Sequence, residues 1–391
     1  MTQSTNSTVP KIRFKGFEGD WEAKTLGQIA NVYQPQTISQ RDLTEVGYDV
    51  YGANGIIGKY SKYNHEEPQI AVTCRGNTCG TVNFTKEKSW ITGNAMVVNI
   101  DDNESVTKTF LFQQLSSQNL NYLITGSGQP QITGTIKSHR TWLCHPDEQT
   151  KIGGYFRELD RLIGLQQRKH DKLVTLKKAM LQKMFPQPGT NTPEIRFKGF
   201  KGDWVEKSLG EVATFLKGKG LPKSSLVPNG AEPCIHYGEL FTRYPEIIGE
   251  IISRTNSSPD AFRSNVNDVL MPTSDVTPRG LAKASCLTVD GVILGGDILV
   301  IRSDVKRICG SFLSYVIRRE EAQVLQFVTG STVFHLYGSN MKNFMFSMPS
   351  VSEQTAIAAY FHTIDELISR HAVQLEKLKQ IKSACLHKMF V

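Results

Sequence analysis

The 391-residue chain lacks any apolar run near the ~18 residues that a membrane-spanning helix needs. The longest candidate, residues 293–301, is broken by Gly295, Gly296 and Asp297. Its 7 cysteines are an odd number, and the polar first ten residues read as a loose tail with no signal-peptide pattern. Free thiols serving as small packing residues in a reducing cytoplasm are therefore expected, with no disulfide framework. Cys74 and Cys79 lie five apart but have no second Cys or His pair to complete a zinc site. Secreted, membrane-spanning and metal-scaffold classes are set aside.

Catalytic signatures are also missing. In the GANGIIGKY run, five residues separate Gly52 from Gly58 where a phosphate loop needs four, and Tyr60 follows Lys59 in place of Ser or Thr. No G-x-S-x-G, H-E-x-x-H or helix-opening G-x-G-x-x-G occurs, nor the Asn/Asp-Pro-Pro-aromatic motif of an amino-methyltransferase. The 9 histidines are scattered. The chain is expected to be no enzyme and to hold no metal or cofactor. A strongly basic segment is absent too. The net charge is +8, yet residues 1–146 hold 13 basic against 12 acidic residues and 193–349 hold 18 against 16. Only 147–192, with 9 against 5, departs clearly from balance. This charge permits nucleic-acid binding without establishing it.

What the chain does have is an internal repeat. Residues 12–21 read IRFKGFEGDW and 195–204 read IRFKGFKGDW, nine of ten positions agreeing at an offset of 183. A second echo has an offset of 205. It relates Glu148-Gln149-Thr150 to Glu353-Gln354-Thr355, Tyr155-Phe156 to Tyr360-Phe361, and Lys183-Met184-Phe185 to Lys388-Met389-Phe390. The variable stretch between the shared ends is 22 residues longer in the second copy and shares little with the first. The order is frame, variable block, helix, repeated once.

Both helical stretches carry an a/d heptad pattern. The first runs through Ile152, Tyr155, Leu159, Leu162, Gln166, Leu173, Leu176 and Met180. Adding 205 gives Ile357, Tyr360, Ile364, Leu367, His371, Leu378, Ile381 and Cys385. Helices of about 37 residues would extend ~55 Å and need a partner for their apolar stripes. Antiparallel pairing of the two copies would set the polar interruptions Gln166 and Lys169 against His371 and Gln374. The alternative is two separate helices, each packed on its own domain. Ser350 and Glu353 form a capping signal, and Gly153, Gly154 and Gly164 sit where the second copy has Ala358, Ala359 and Ser369. The variable blocks show short β-like runs at 48–60, 69–76, 81–84 and 94–100, then at 234–240, 268–274 and 297–303. Helical stretches follow at 107–117 and 309–323, so each block reads as a compact α+β domain.

This order resembles the specificity subunit of type I restriction–modification enzymes, over essentially the whole chain. The resemblance rests on the duplicated motif ending at Trp21 and Trp204, and on the helix-opening phrases HPDEQTKI (145–152) and PSVSEQTAI (349–357). It also rests on the two heptad helices and on phrases such as GANGIIG (52–58) and SGQPQI (127–132). It implies a pseudo-twofold α+β protein with two target-recognition domains joined by two long antiparallel coiled-coil helices. The expected boundaries are a tail at 1–10, domains at 11–146 and 194–349, helices at 147–185 and 350–391, and a linker at 186–193. By the resemblance, each domain reads one half of an asymmetric bipartite site in double-stranded DNA, and the helices set the spacing. It further implies two methyltransferase subunits carrying S-adenosylmethionine and two restriction/translocase subunits using ATP and Mg, with no cofactor on this chain.

Polar residues in Gly-rich loops are the types that reach base edges and phosphates. In the first domain the candidates are Asn54, Lys59, Arg75, Asn77, Gln129, Gln131 and Lys137. In the second they are Lys217, Lys219, Lys223, Thr273, Ser274, Arg279, Ser331 and His335. A coiled-coil scaffold that binds only proteins, and a self-contained DNA enzyme, are the competing classes.

Overall fold

The computed structural model describes residues 8–53, 55–126, 128–256 and 260–391. The chain folds as two compact units, one built from residues up to Arg168 together with Ala372–Val391, the other from Lys169–His371. Two long helices, Pro146–Lys183 and Val351–Met389, each contribute to both units. Their starts are equivalent. Gln149 N–H donates to the His145 carbonyl at 3.1 Å and Gln354 N–H to the Ser350 carbonyl at 3.0 Å. Pro146 is thus the first helical residue, where its missing N–H costs nothing.

The repeated phrases have matching roles in the two units. In the first, Arg13 forks onto Glu148 (2.7 and 2.8 Å); in the second, Arg196 forks onto Glu353 (both 2.7 Å). Gln149 accepts from Thr107 N–H (3.0 Å) and Gln354 from Cys309 N–H (2.9 Å), each tying its helix to a domain helix. Trp21 packs on Phe110 and Phe390, and Trp204 on Phe312 and Phe185. The Lys-Met-Phe phrases are therefore exchanged. Phe390, ending the second helix, closes the first unit over Phe156, while Phe185, ending the first helix, closes the second over Phe361. Backbone bonds repeat the exchange, Ile12 N–H to Lys388 O and Ile195 N–H to Lys183 O, both 2.9 Å.

Within each unit the helix segments run antiparallel. The first unit pairs Tyr155 with Cys385 (3.5 Å) and Asp160 with Lys382 (2.6 Å). The second pairs Lys177 with Asp365 (2.6 Å) and Phe185 with Phe361. Ile152, Leu159, Ile357 and Ile364 are buried, and Tyr155, Leu162, Leu173, Met180, Tyr360, Leu367, Leu378 and Cys385 are half-buried. Leu176 and Ile381 are a correction: both are 38% exposed. The half-buried residues there are the next ones along, Lys177 and Lys382. Leu375 is likewise buried one residue after Gln374, while Phe156 and Phe361, early in their helices, are buried against Phe390 and Phe185. A straight α-helix drifts ~20° per heptad, so the stripe slides off a strict 3.5-residue spacing. Gln166 and Gln374 belong to the first unit, Lys169 and His371 to the second.

Of the three helix glycines, only Gly153 is needed for space. A Cβ there would lie 2.3 Å from Thr109 Oγ1 and 2.9 Å from the Phe110 backbone nitrogen, whereas at Gly154 it would meet nothing within 4 Å. Gly153→Ala is expected to cost about 1–3 kcal/mol by overpacking. Gly154→Ala should gain up to about 1 kcal/mol from helix propensity. Urea titration of the two variants checks the opposite signs.

Each variable domain is built on an antiparallel sheet. The first orders Asn31–Tyr33, Ala95–Asn99, Ile70–Thr73 and Val82–Phe84, beside a smaller sheet of Gly55–Tyr60, Tyr48–Gly52 and Trp90–Ile91. Helix Lys108–Ser117 buries Phe110, Leu111 and Leu115. The second orders Ala213–Lys217, Ile298–Ser303, Val269–Pro272, Ser285–Leu287 and Ile247–Ile248, the last pair being parallel. Two sequence expectations need amendment. The run at 234–240 leaves its strand after Ile235 and turns into the short helix Glu239–Thr242. The stretch at 309–323 is two helices, Gly310–Arg319 and Glu321–Gln326, with Glu320 between them at φ −90° and ψ 35°.

Candidate nucleic-acid interface

Each variable domain hangs from a two-stranded ribbon that starts right after the frame tryptophan. Glu22–Thr25 pairs with Arg140–Leu143, Glu22 opposite Leu143. Val205–Ser208 pairs with Met345–Met348, Val205 opposite Met348. Both pairings are antiparallel over four residues and occupy equivalent places in the repeat.

In the first domain, strand Ile70–Thr73 runs into a loop that crosses residues 130–132. Arg75 and Thr125 both bridge Gln131, Gly76 N–H donates to Pro130 O (3.0 Å), and Ile132 N–H donates to Cys74 O (3.0 Å). Thr73 and Thr78 hydroxyls both donate to Ala53 O, the former at 3.1 Å, which draws Ala53 alongside. Arg75, Asn77, Gln129 and Gln131 thus form one exposed cluster. Asn54 lies outside the described residues.

The second domain builds the same junction from other residues. Strand Val269–Pro272 runs into Thr273, Ser274 pairs with His335, Thr329 bridges His335, and Leu336 N–H donates to Thr273 O (2.9 Å). The turns correspond at Gly126 (φ +88°) and Gly330 (φ +111°). A Cβ there would sit 2.7 Å from Gln129 O and 2.1 Å from Val333 O, so only glycine fits. The Thr-Gly-Ser tripeptides at 125–127 and 329–331 signal this equivalence in the sequence.

Lys217, Thr273, Ser274 and His335 line one concavity of about 580 Å³. Sequence reasoning missed the other lining residues, Asp297, Tyr337 and Lys342 among them. The rings of His335 and Tyr337 stack at 6.1 Å. Lys217 lies 3.6 Å from Asp297, an exposed pair that contributes little to stability. Exposed Lys219 follows, its N–H bonded to Leu294 O, and exposed Ser331 sits in the turn.

Four candidates lie outside these clusters. Lys59 binds Asp49 at 2.9 Å, and together Lys86 and Lys59 hold that carboxyl below its ordinary range. Lys137, in the short helix Gly134–Ser138, sits against Gly27 beside the ribbon. Lys223 opens the turn Lys223–Ser225, and Arg279 faces Glu321 at 3.1 Å in a separate groove.

All seven cysteines are free, five of them buried. Among the described residues no three His, Cys, Asp or Glu side chains gather as a metal site, and no helix is long and apolar enough to cross a membrane.

Two dissimilar polar surfaces on one duplicated frame define a two-headed recognition protein. The family model described as the type I restriction modification DNA specificity domain matches residues 18–175 and 201–380. The chain belongs to that family, as the non-catalytic DNA-recognition subunit of a type I restriction–modification system. It is 22% identical, over 94% of its length and 91% of the relative's, to the type I restriction enzyme MjaVIII specificity subunit of Methanocaldococcus jannaschii. Its fold is similar to that of the type I restriction–modification S subunit from M. genitalium, with a TM-score of 0.73 and 15% identity over 98% of this chain and 99% of the other.

Proposed function

We propose that the two variable domains read the two halves of an asymmetric split DNA sequence. The first does so through the cluster of Arg75, Asn77, Gln129 and Gln131, together with Asn54. The second uses Lys217, Thr273, Ser274 and His335, with Tyr337 and Lys342 added from the concavity. The observation that carries this reading is the equivalent loop junction holding unlike side chains: the same position, with a different donor and acceptor set, selects different bases. Lys59, Lys137, Lys219, Lys223, Arg279 and Ser331 serve as phosphate contacts, which position without specifying.

The paired helices set the separation of the half-sites. The duplicated frame docks two methyltransferase subunits, which bring S-adenosylmethionine, and two restriction/translocase subunits, which bring ATP and Mg. Near-neutral reading domains suit a complex in which those partners supply much of the phosphate contact.

The test is selection of random duplexes by the chain reconstituted with its methyltransferase partner. Enrichment of one split sequence, weakening as salt rises, is expected; no enrichment overturns the reading. Arg75→Ala should relax base preference in one half-site only, and His335→Ala in the other only, each by about 1–3 kcal/mol at the affected base. Competition between duplexes differing at single positions measures this, and a change in both halves from one substitution contradicts the residue assignment.

A further inference from the structure

The second unit holds a network of ionisable groups that joins both helices to its variable domain. Lys177, on the first helix, lies 2.8 Å from Glu246 and 2.6 Å from Asp365 of the second helix. Tyr315, on the domain helix Gly310–Arg319, donates its hydroxyl to Asp365 at 2.7 Å, and its ring lies 5.5 Å beneath the Lys177 ammonium. Arg318, on the same helix, approaches Glu246 at 3.7 Å and donates to Ala284 O at 2.6 Å. Glu246 immediately precedes the edge strand Ile247–Ile248 of the five-stranded sheet. The Lys177, Glu246, Asp365 and Arg318 side chains are all less than a quarter exposed. Burial works against ionisation of Glu246, but Arg318 and Lys177 together hold its carboxyl below the ordinary range.

The equivalent place in the first unit is simpler. Lys382 meets Asp160 at 2.6 Å, and Gln113 donates to the other Asp160 oxygen at 2.9 Å. Among the described residues Lys382 meets one acidic side chain, Asp160, where Lys177 meets two. An apolar interface tolerates small slides and rotations, because its attraction is non-directional. Two cations interleaved with two anions do not, since any slide leaves a desolvated charge without its partner.

We propose that Lys177 is a positioning residue that fixes the angle of the second recognition domain on the helix pair, and through it how strictly the complex rejects half-sites at the wrong separation. This rests on the split-sequence reading above. Glu246 transmits the constraint to one edge of the sheet whose central strand, Val269–Pro272, carries Thr273 and Ser274 at its end.

The experiment measures methylation by the reconstituted complex on duplexes carrying the selected target with its spacer at native length, one base pair longer and one shorter. Lys177→Met should reduce the preference for native over altered spacers about tenfold, with base preference within each half-site retained. Tyr315→Phe keeps the ring and removes one hydrogen bond, so it should shift the same ratio in the same direction by a smaller factor. It carries the test if Lys177→Met does not fold. Lys382→Met should change the ratio less than Lys177→Met. Folded variants with an unchanged ratio, or with equal loss on all three spacers, overturn the proposal. If the unaltered complex shows no split target, the reading beneath it has failed, an outcome the wild-type arm reveals separately.

Discussion

Glu353→Ala lowers the stability of the second unit by about 3–5 kcal/mol, the cost of removing one partner from a buried ion pair. The Glu353 side chain is 2% exposed and that of Arg196 18%. Both guanidinium contacts are 2.7 Å, and the same arginine also donates to the carbonyls of Gly202 and Lys201. Without the carboxylate, Arg196 keeps its half-buried position and its two carbonyl contacts but loses its counter-charge. The carboxylate also lies in the first turn of a 39-residue helix, where the helix dipole favours a negative group. Glu353→Gln retains an acceptor and should lose about half as much. Glu148→Ala should act similarly on the first unit, through Arg13. Calorimetry or urea melts of the full chain measure these losses. A loss under about 1 kcal/mol would show that water screens the pair as it does at a surface.

Much of this arrangement is legible because the sequence contains its own comparison. The retained Glu-Gln-Thr phrase marks Glu148 and Glu353, which grip the frame arginines, and Gln149 and Gln354, which grip the domain helices. The Lys-Met-Phe echo is visible too, but linear order does not reveal that each copy closes the other copy's unit. That depends on aromatic contacts such as Trp21 with Phe390, which join residues far apart in the chain. The residues at heptad spacing include the buried Ile152, Leu159, Ile357 and Ile364 early in the helices and the exposed Leu176 and Ile381 farther along, as a fixed period cannot follow a drifting stripe.

The recognition surface is less legible, for a different physical reason. Arg75 meets Gln131, and Ser274 meets His335, through pairings that local patterns do not encode. Residue type finds the polar candidates, and tertiary structure sorts them. It gathers Arg75 and Gln131 into one surface while Asp49 occupies Lys59. Tyr337, two residues beyond His335, stacks on it, a contact that no local pattern marks.

A chain in which residues 22–143 are replaced by its own residues 205–348 should select one half-site twice. The graft is physically permitted because both domains enter and leave through four-residue ribbons of the same register, each following an equivalent tryptophan. The main junction demand is at the ingoing frame, where Trp21 must still pack on Phe390, and on Phe312 in place of Phe110. Each mismatched base pair costs about 1–3 kcal/mol, so two mismatches in the former first half-site should lower its methylation at least about 30-fold. Sequencing of methylated sites from cells carrying the graft and its methyltransferase partner reads the outcome directly. Retention of the original first half-site would mean that its recognition lies outside residues 22–143. Loss of both half-sites in a chain that still melts normally would mean that the two domains do not read independently.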